Sequence, residues 1–123
     1  MRILLVDDSP ELLQITRLML EKFGYAVSTA RTPAEAEDIC RRQPIDAAII
    51  DYGLGRENGA LLARSLKAEH PSLKVILTSG TDIIPDEEMA LADAYYMKGY
   101  ARPTDLQELL KKVLGDRNDR LAG

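Results

Sequence analysis

Acidic side chains follow two apolar segments of this 123-residue chain and have the residue type and placement of a metal site. The segment Ile3–Asp8 ends in the adjacent acids Asp7 and Asp8, and the segment Ile45–Gly53 is apolar up to Asp51 and breaks at a glycine two positions later. If the two segments are neighbouring strands, their three carboxylates repel one another at neutral pH and favour a divalent cation. Because all the ligands are oxygens, the sequence predicts Mg²⁺.

Two further apolar segments end in a hydroxyl group and in a cation. The segment Leu73–Thr78 is followed by Ser79, so it ends in two hydroxyls, and Ala94–Lys98 ends in its lysine. An acid pair, a single aspartate, a hydroxyl and a lysine therefore occur in this order, each at the end of its own segment. This ordered set is the strongest functional signal in the sequence.

The elements that must position these side chains are predicted to be buried strands. Ala47–Ile50 is apolar at every position, whereas a half-exposed strand would alternate. A short helix is the alternative, and the flanking Pro44 and Gly53 argue against it. With a further strand at Tyr25–Ala30, five strands alternate with five helices, which implies a parallel sheet with right-handed crossovers. The acids, the hydroxyl and the lysine then lie along one edge of the sheet.

The first predicted helix begins at Ser9-Pro10 and ends before Gly24, since Ser is a common N-cap and Gly a common stop. Its inward stripe is expected to comprise Leu12, Ile15, Met19 and Phe23.

Caps and prolines predict four more helices, over residues 32–42, 58–69, 85–91 and 104–114. Gly115 is expected to end the last one. Residues 1–115 then form a single domain, followed by a polar, frayed tail over residues 116–123 and no output domain. The acidic run Asp82, Asp86, Glu87 and Glu88 is interpreted as a solvated face.

Composition excludes several classes of protein. A net charge of −4 gives no basic face for direct nucleic acid binding, and no segment resembles a signal peptide or a membrane span. The single cysteine, Cys40, excludes an intramolecular disulfide and a cysteine-rich zinc site. The expected location is the cytoplasm.

From Ile3 to about Leu114 the chain resembles the receiver domain of two-component response regulators. The resemblance is carried by the acid pair, by Asp51-Tyr52-Gly53-Leu54 with Gly59 and Leu62 at the family spacing, by Thr78 and by Tyr95-Tyr96-Met97-Lys98. It implies a doubly wound, flavodoxin-like (βα)5 fold with the five parallel strands in the order 2-1-3-4-5.

By the same resemblance, Asp51 is the phosphoacceptor for a sensor histidine kinase or a histidine phosphotransfer protein. Asp8 and Asp51, with the backbone carbonyl of Gly53, are implied to bind Mg²⁺ directly, and Asp7 through a water. Lys98 and Thr78 are implied to contact the phosphoryl oxygens. Such a protein assists its own phosphorylation and slow dephosphorylation and is otherwise not an enzyme.

The resemblance also implies a switch. Thr78 moves toward the phosphoryl group, Tyr95 turns inward, and the surface of helix 4, strand 5 and helix 5 changes for a downstream protein partner. Dimerisation through the last helices on phosphorylation occurs in the family, and the sequence of this chain does not decide whether it occurs here.

The chain departs from the family at two places. Gly55 stands where the family usually has proline, and Lys98 is followed by Gly99 instead of proline. Arg102-Pro103 offers a rival alignment for the phosphate-contacting cation, but only Lys98 has an aromatic residue three positions earlier.

The sequence suggests two alternatives to a phosphorylated receiver. A phosphorylation-independent pseudo-receiver, which keeps the fold without the switch, stays open because of the altered segment 99–103. A Mg²⁺-dependent phosphohydrolase with an aspartyl intermediate is disfavoured, because such enzymes carry an Asp-x-Asp motif after the first strand and Asp7-Asp8-Ser9 does not fit.

Overall fold

Five parallel strands form the central sheet in the computed structural model, which describes residues 1–80, 83–98 and 103–122. Along the chain the strands are β1 (Arg2–Val6), β2 (Ala26–Ala30), β3 (Ala47–Asp51), β4 (Lys74–Ser79) and β5 (Ala94–Met97). Their order across the sheet is β2-β1-β3-β4-β5, and each pairing is parallel. The predicted fold class and strand order are confirmed.

Helices cover both faces of this sheet. They are α1 (Pro10–Lys22), α2 (Pro33–Arg42), α3 (Gly59–Glu69), α4 (Asp86–Met89) and α5 (Pro103–Ala122). Three of the predicted caps are present: the Ser9 hydroxyl accepts from the Leu12 amide, the Thr32 hydroxyl from that of Glu35, and the Asn58 side-chain oxygen from that of Ala60. The predicted start of α5 at residue 104 is wrong by one residue, because Pro103 is already helical. No helix in the described part of the chain is both long and apolar enough to cross a bilayer.

The three central strands, β1, β3 and β4, are buried on both sides, as the uninterrupted apolar run of β3 predicts, and the edge strands β2 and β5 are mostly half-buried. Alternate residues of each strand enter one of two cores. One core packs against α2 and α3 through Ala36, Cys40, Leu62, Ala63 and Leu66. The other packs against α1 and α5 through Leu13, Leu20, Leu106, Leu110 and Leu114. The carboxyl edge of the sheet is therefore a rigid platform.

The predicted inward stripe of α1 is partly wrong. Leu12 and Ile15 are 43% and 64% exposed, and the fully buried side chains are Leu13 and Leu20. Met19, and Phe23 just after the helix, do pack against the core. The helix is apolar over most of its circumference, so spacing alone does not select the face that meets the sheet.

The predicted stop at Gly115 is also wrong, because α5 continues to Ala122. A glycine ends a helix when it adopts left-handed backbone angles, and otherwise costs only about 1 kcal/mol relative to alanine. Among the described residues, positive φ occurs only at Gly24, where the predicted stop of α1 is confirmed, and at Gly55.

Gly59 allows α3 to begin directly against the end of β3. A Cβ atom at this position would lie 2.1 Å from the backbone oxygen of Asp51, so that no side chain fits. The Gly59 amide donates to the Tyr52 carbonyl at 2.8 Å, which fixes the same approach.

We expect Gly59→Ala to lower the free energy of unfolding by about 3 kcal/mol, at the upper end of the cost of overpacking. Its added methyl group meets backbone, which cannot rotate away. Urea denaturation monitored by circular dichroism measures the change. Gly115→Ala is the control: its Cβ meets nothing within 4 Å, so it should stabilise α5 by about 0.5–1 kcal/mol. Equal stability of Gly59→Ala and the wild type would contradict the close approach.

Candidate functional site

Three carboxylates meet at the carboxyl edge of the sheet because β1 and β3 are adjacent. Asp51 is the last residue of β3, and Asp7 and Asp8 directly follow β1. One oxygen from each of the three lies within 4.8 Å of the others. Asp7 is 8% exposed and Asp51 half-buried, whereas Asp8 is exposed to solvent. The grouping inferred from two separate sequence segments is present.

Lys98 supplies a positive charge to this cluster. Its ammonium nitrogen Nζ lies 2.7 Å from Oδ2 of Asp7 and 3.5 Å from Oδ1 of Asp51. The Lys98 amide donates to the Ser79 carbonyl at 2.8 Å, so the residue is anchored where β5 ends. Its side chain therefore reaches past the end of β4 to the acids. The rival cation, Arg102, lies outside the described residues.

Thr78 lies beside Asp51 because β3 and β4 pair in register at these two residues. It is 4% exposed, and its carbonyl accepts a 2.8 Å hydrogen bond from the Tyr52 amide. A hydroxyl group is thus held next to the central carboxylate.

The aromatic residues of β5 pack on opposite faces of the sheet. Tyr95, the predicted switch residue, is half-buried against the core that includes Ile84 and Leu91. Tyr96 packs against the other core. Tyr100 lies outside the described residues.

The electrostatic balance of the site is negative. Burial raises the pKa of the Asp51 carboxyl above its usual range; Lys98 opposes this shift, and the neighbouring Asp7 and Asp8 charges add to it. Three carboxylates against one ammonium group leave an excess of negative charge.

These residues fit a magnesium ion. The donors are carboxylate oxygens from three residues, close enough together to bind one cation, and hard divalent ions prefer oxygen. Asp7, Asp8 and Asp51 would hold it. The predicted backbone ligand, Gly53, comes two residues after Asp51 in the loop that borders the cluster.

That loop forms a small hairpin, whose turn contains Gly55 at the position where the family usually has proline. Gly53–Leu54 pairs antiparallel with Glu57–Asn58. Gly55, in the turn, has a φ of 66°, which proline cannot adopt. A Cβ atom on Gly55 would lie 3.9 Å from a side-chain oxygen of Asp8. The departure at Gly55 therefore changes the local shape of the loop beside the acids.

Sequence reasoning missed a second group of polar residues close to the site. Glu88 on α4 accepts hydrogen bonds from the Tyr52 hydroxyl at 3.1 Å and from the Asn58 side-chain amide at 2.7 Å. The interpretation of Glu88 as part of a solvated face is wrong, since it is half-buried and bonded. Nothing in the spacing of these residues pairs α4 with the loop after β3, so only the fold reveals the contact.

The chain belongs to the response regulator receiver domain family, whose pattern it matches over residues 3–114. It is thus the receiver domain of a response regulator, the class of protein that works in two-component systems.

Among characterised relatives, the chain is 36% identical over 100 residues to the alginate biosynthesis transcriptional regulatory protein AlgB of Pseudomonas putida. The match covers 79% of this chain and 22% of AlgB, so the chain spans about a fifth of that relative's length.

Solved structures agree with this assignment. A CheY-like receiver domain protein from Methanospirillum hungatei is 31% identical, with a TM-score of 0.86 and 97% of both chains covered.

The response regulator TrrA of Thermotoga maritima, solved with Mg²⁺ and BeF, is 28% identical, with a TM-score of 0.84, covering 92% of this chain and 98% of TrrA. TrrA has also been solved in complex with the histidine kinase ThkA, where the TM-score is 0.83 and 92% of this chain and 97% of TrrA are covered.

We expect Asp51→Asn to raise the free energy of unfolding at pH 7 by about 1 kcal/mol, the scale of cost for a partly desolvated charge. A carboxyl whose pKa is higher in the folded than in the unfolded protein is destabilising when ionised. Its cost therefore appears as pH rises through these pKa values, and the advantage of the variant should disappear in acid. Denaturation midpoints from pH 3 to pH 8 measure it.

The exposed acid Asp86 provides the matching control, because Asp86→Asn should change stability by less than about 0.5 kcal/mol. An Asp51→Asn protein that is less stable than the wild type, increasingly so toward neutral pH, would show that the Asp51 charge is favourable instead.

Proposed function

We propose that this receiver accepts a phosphoryl group on Asp51 from the phosphohistidine of a sensor histidine kinase or a histidine phosphotransfer protein. The observation that carries the proposal is the arrangement of one half-buried carboxylate beside two further acids, a hydroxyl and a lysine at one sheet edge. A complex of TrrA with a histidine kinase is consistent with a kinase as the partner.

In this step an Asp51 carboxylate oxygen forms a bond to phosphorus as the bond from phosphorus to the histidine nitrogen breaks. The imidazole leaves with the electron pair and the product is an aspartyl phosphate. Such a transfer depends on positioning and charge neutralisation more than on covalent help.

Lys98 is placed for that neutralisation. Its Nζ is already bonded to Asp7 and lies 3.5 Å from Asp51, so a modest movement would bring it to the phosphoryl oxygens. Thr78 would donate its hydroxyl to another of these oxygens. Further charge would be offset by Mg²⁺ held by Asp8, Asp51 and the Gly53 carbonyl, with Asp7 acting through a water.

Movement of Thr78 toward the phosphoryl group would carry the signal outward. Tyr95 would turn inward in response, and the surface formed by α4, β5 and α5 would change for a downstream protein partner. Ile83, Met89 and Met97, at 93%, 37% and 40% exposure, give this region exposed apolar side chains that suit a protein partner. Direct binding of nucleic acid or membrane is not part of the proposal, and dimerisation on phosphorylation is one form that the output could take.

Residues 1–115 would form the phosphorylated unit, as proposed from the sequence. The activity is limited to assisting phosphorylation and slow dephosphorylation of Asp51 itself. A pseudo-receiver that binds its partner without phosphorylation is the alternative.

Incubation with acetyl phosphate and Mg²⁺ should add one phosphoryl group to the intact protein, as measured by mass spectrometry. The adduct should be absent without Mg²⁺ and in Asp51→Asn, because that side chain cannot form the acyl phosphate. A wild-type protein that gains no mass would favour the pseudo-receiver, and an adduct that persists in Asp51→Asn would place the phosphoacceptor elsewhere.

Lys98→Ala should slow this phosphorylation by at least tenfold, since among the described residues it removes the cation that lies 3.5 Å from Asp51, whereas Arg102→Ala should leave the rate within about twofold. The rate of mass gain measures both. A normal rate in Lys98→Ala together with a slow one in Arg102→Ala would favour the rival alignment.

A further inference from the structure

One carboxylate on α4 bonds to both ends of the loop that follows the phosphoacceptor. Glu88 accepts from the hydroxyl of Tyr52 at 3.1 Å and from the side-chain amide of Asn58 at 2.7 Å. Tyr52 is the residue after Asp51, and Asn58 is the residue before α3. The carboxylate therefore bridges loop 52–58 across its span.

Both donors are themselves fixed to the site. The Tyr52 amide donates to the carbonyl of Thr78, and the Tyr52 carbonyl accepts from the amide of Gly59, each at 2.8 Å. The Asn58 side-chain oxygen accepts from the Ala60 amide at 2.7 Å, so its amide nitrogen is directed by the cap toward Glu88. Glu88 thus completes a closed set of contacts that includes the end of β3, the start of α3 and α4.

Within this frame the loop is also restrained by its own hairpin, in which Gly53–Leu54 pairs with Glu57–Asn58, and by the burial of Leu54 in the core. It contains Gly53 and Gly55, and Gly55 has positive φ. Gly53 is also the residue whose carbonyl the proposed function assigns to the cation. Hydrogen bonds to an ionised carboxylate are about twice as strong as neutral ones, and all three side chains in the frame are at least half-buried.

We propose that Glu88 is a positioning residue that holds loop 52–58 in its cation-binding arrangement and thereby couples the acidic site to α4. The inference rests on the proposed function, because it deepens the role of the same site. It gives α4 a connection to the phosphoacceptor loop that does not pass through Thr78 or Tyr95. By reciprocity, if α4 stabilises the cation-binding loop, then cation binding stabilises α4 by the same free energy.

Variants can break this frame without removing a proposed ligand. Glu88→Gln removes the charge and replaces one of the two acceptor oxygens by a donor, so in the present geometry only one of the two hydrogen bonds keeps its acceptor. Tyr52→Phe removes one hydrogen bond and no charge. Asn58→Asp keeps the oxygen that caps α3 and places a second carboxylate against Glu88. Glu87→Gln is the control, since it removes the same charge from an exposed neighbour on the same turn of helix.

The first measurement is Mg²⁺ binding by NMR titration of each full-length variant with the metal alone. We expect the dissociation constant to rise threefold to tenfold in Glu88→Gln and Asn58→Asp, twofold to fourfold in Tyr52→Phe, and less than twofold in Glu87→Gln. In the double variant of Tyr52→Phe with Glu88→Gln, the loss of affinity should be smaller than the sum of the two single effects, because both substitutions disrupt the same frame.

The second measurement is hydrogen exchange of the α4 amides with and without Mg²⁺. Mg²⁺ should slow exchange at the hydrogen-bonded amides of residues 88–92, in and just after α4, in the wild type and in Glu87→Gln, but not in Glu88→Gln. A role confined to stability would change exchange equally in both conditions, so it would not remove this metal dependence.

The outcomes separate the two proposals. If wild-type protein binds Mg²⁺ and is phosphorylated while Glu88→Gln matches Glu87→Gln in affinity and exchange, the positioning role is overturned and the proposed function stands. If wild-type protein neither binds Mg²⁺ nor takes up a phosphoryl group, both are overturned.

Discussion

The main constraint on this structure is the repulsion among negative charges at one edge of its sheet, which the rest of the fold has to overcome. Asp7, Asp8 and Asp51 approach within 4.8 Å, and only Lys98 among the described cations reaches them. Water would normally screen such a group, but Asp7 is buried and Asp51 half-buried, so the repulsion persists in the folded protein. The rest of the fold supplies enough apolar burial to hold these charges together.

That burial comes from the parallel arrangement of strands. Alternate residues of each strand enter cores on opposite faces, and the helices on either side bury the three central strands almost completely. Since all strands point the same way, residues that are 44 and 91 positions from Asp7 along the chain converge on it. Gly59 also helps to form this edge, because it has no side chain and α3 can therefore start against the backbone of Asp51.

Much of this arrangement follows from the sequence, because it depends on local signals. The apolar run ending in Asp51 predicts a buried strand, Ser9, Thr32 and Asn58 predict helix starts, and the order of acids, hydroxyl and lysine predicts the grouped site. Where local signals are ambiguous, prediction fails. The apolar residues of α1 are spread around much of its circumference, so its buried face depends on its packing against the sheet. Gly115 stays helical because nothing there requires left-handed angles. Glu88 resembles its exposed neighbours, and only the tertiary contact with Tyr52 and Asn58 distinguishes it.

The short contact of Lys98 with Asp7 means that the cluster contains a cation that is part of the chain itself. Because this ammonium group is tethered, it is present at a high and constant local concentration and cannot be removed by dialysis or chelation. A metal ion that binds at the site would therefore meet acids of which one is already paired with an ammonium group. The fold thus places part of the counter-charge for its acidic cluster 91 residues away along the chain, where β5 ends beside the acids.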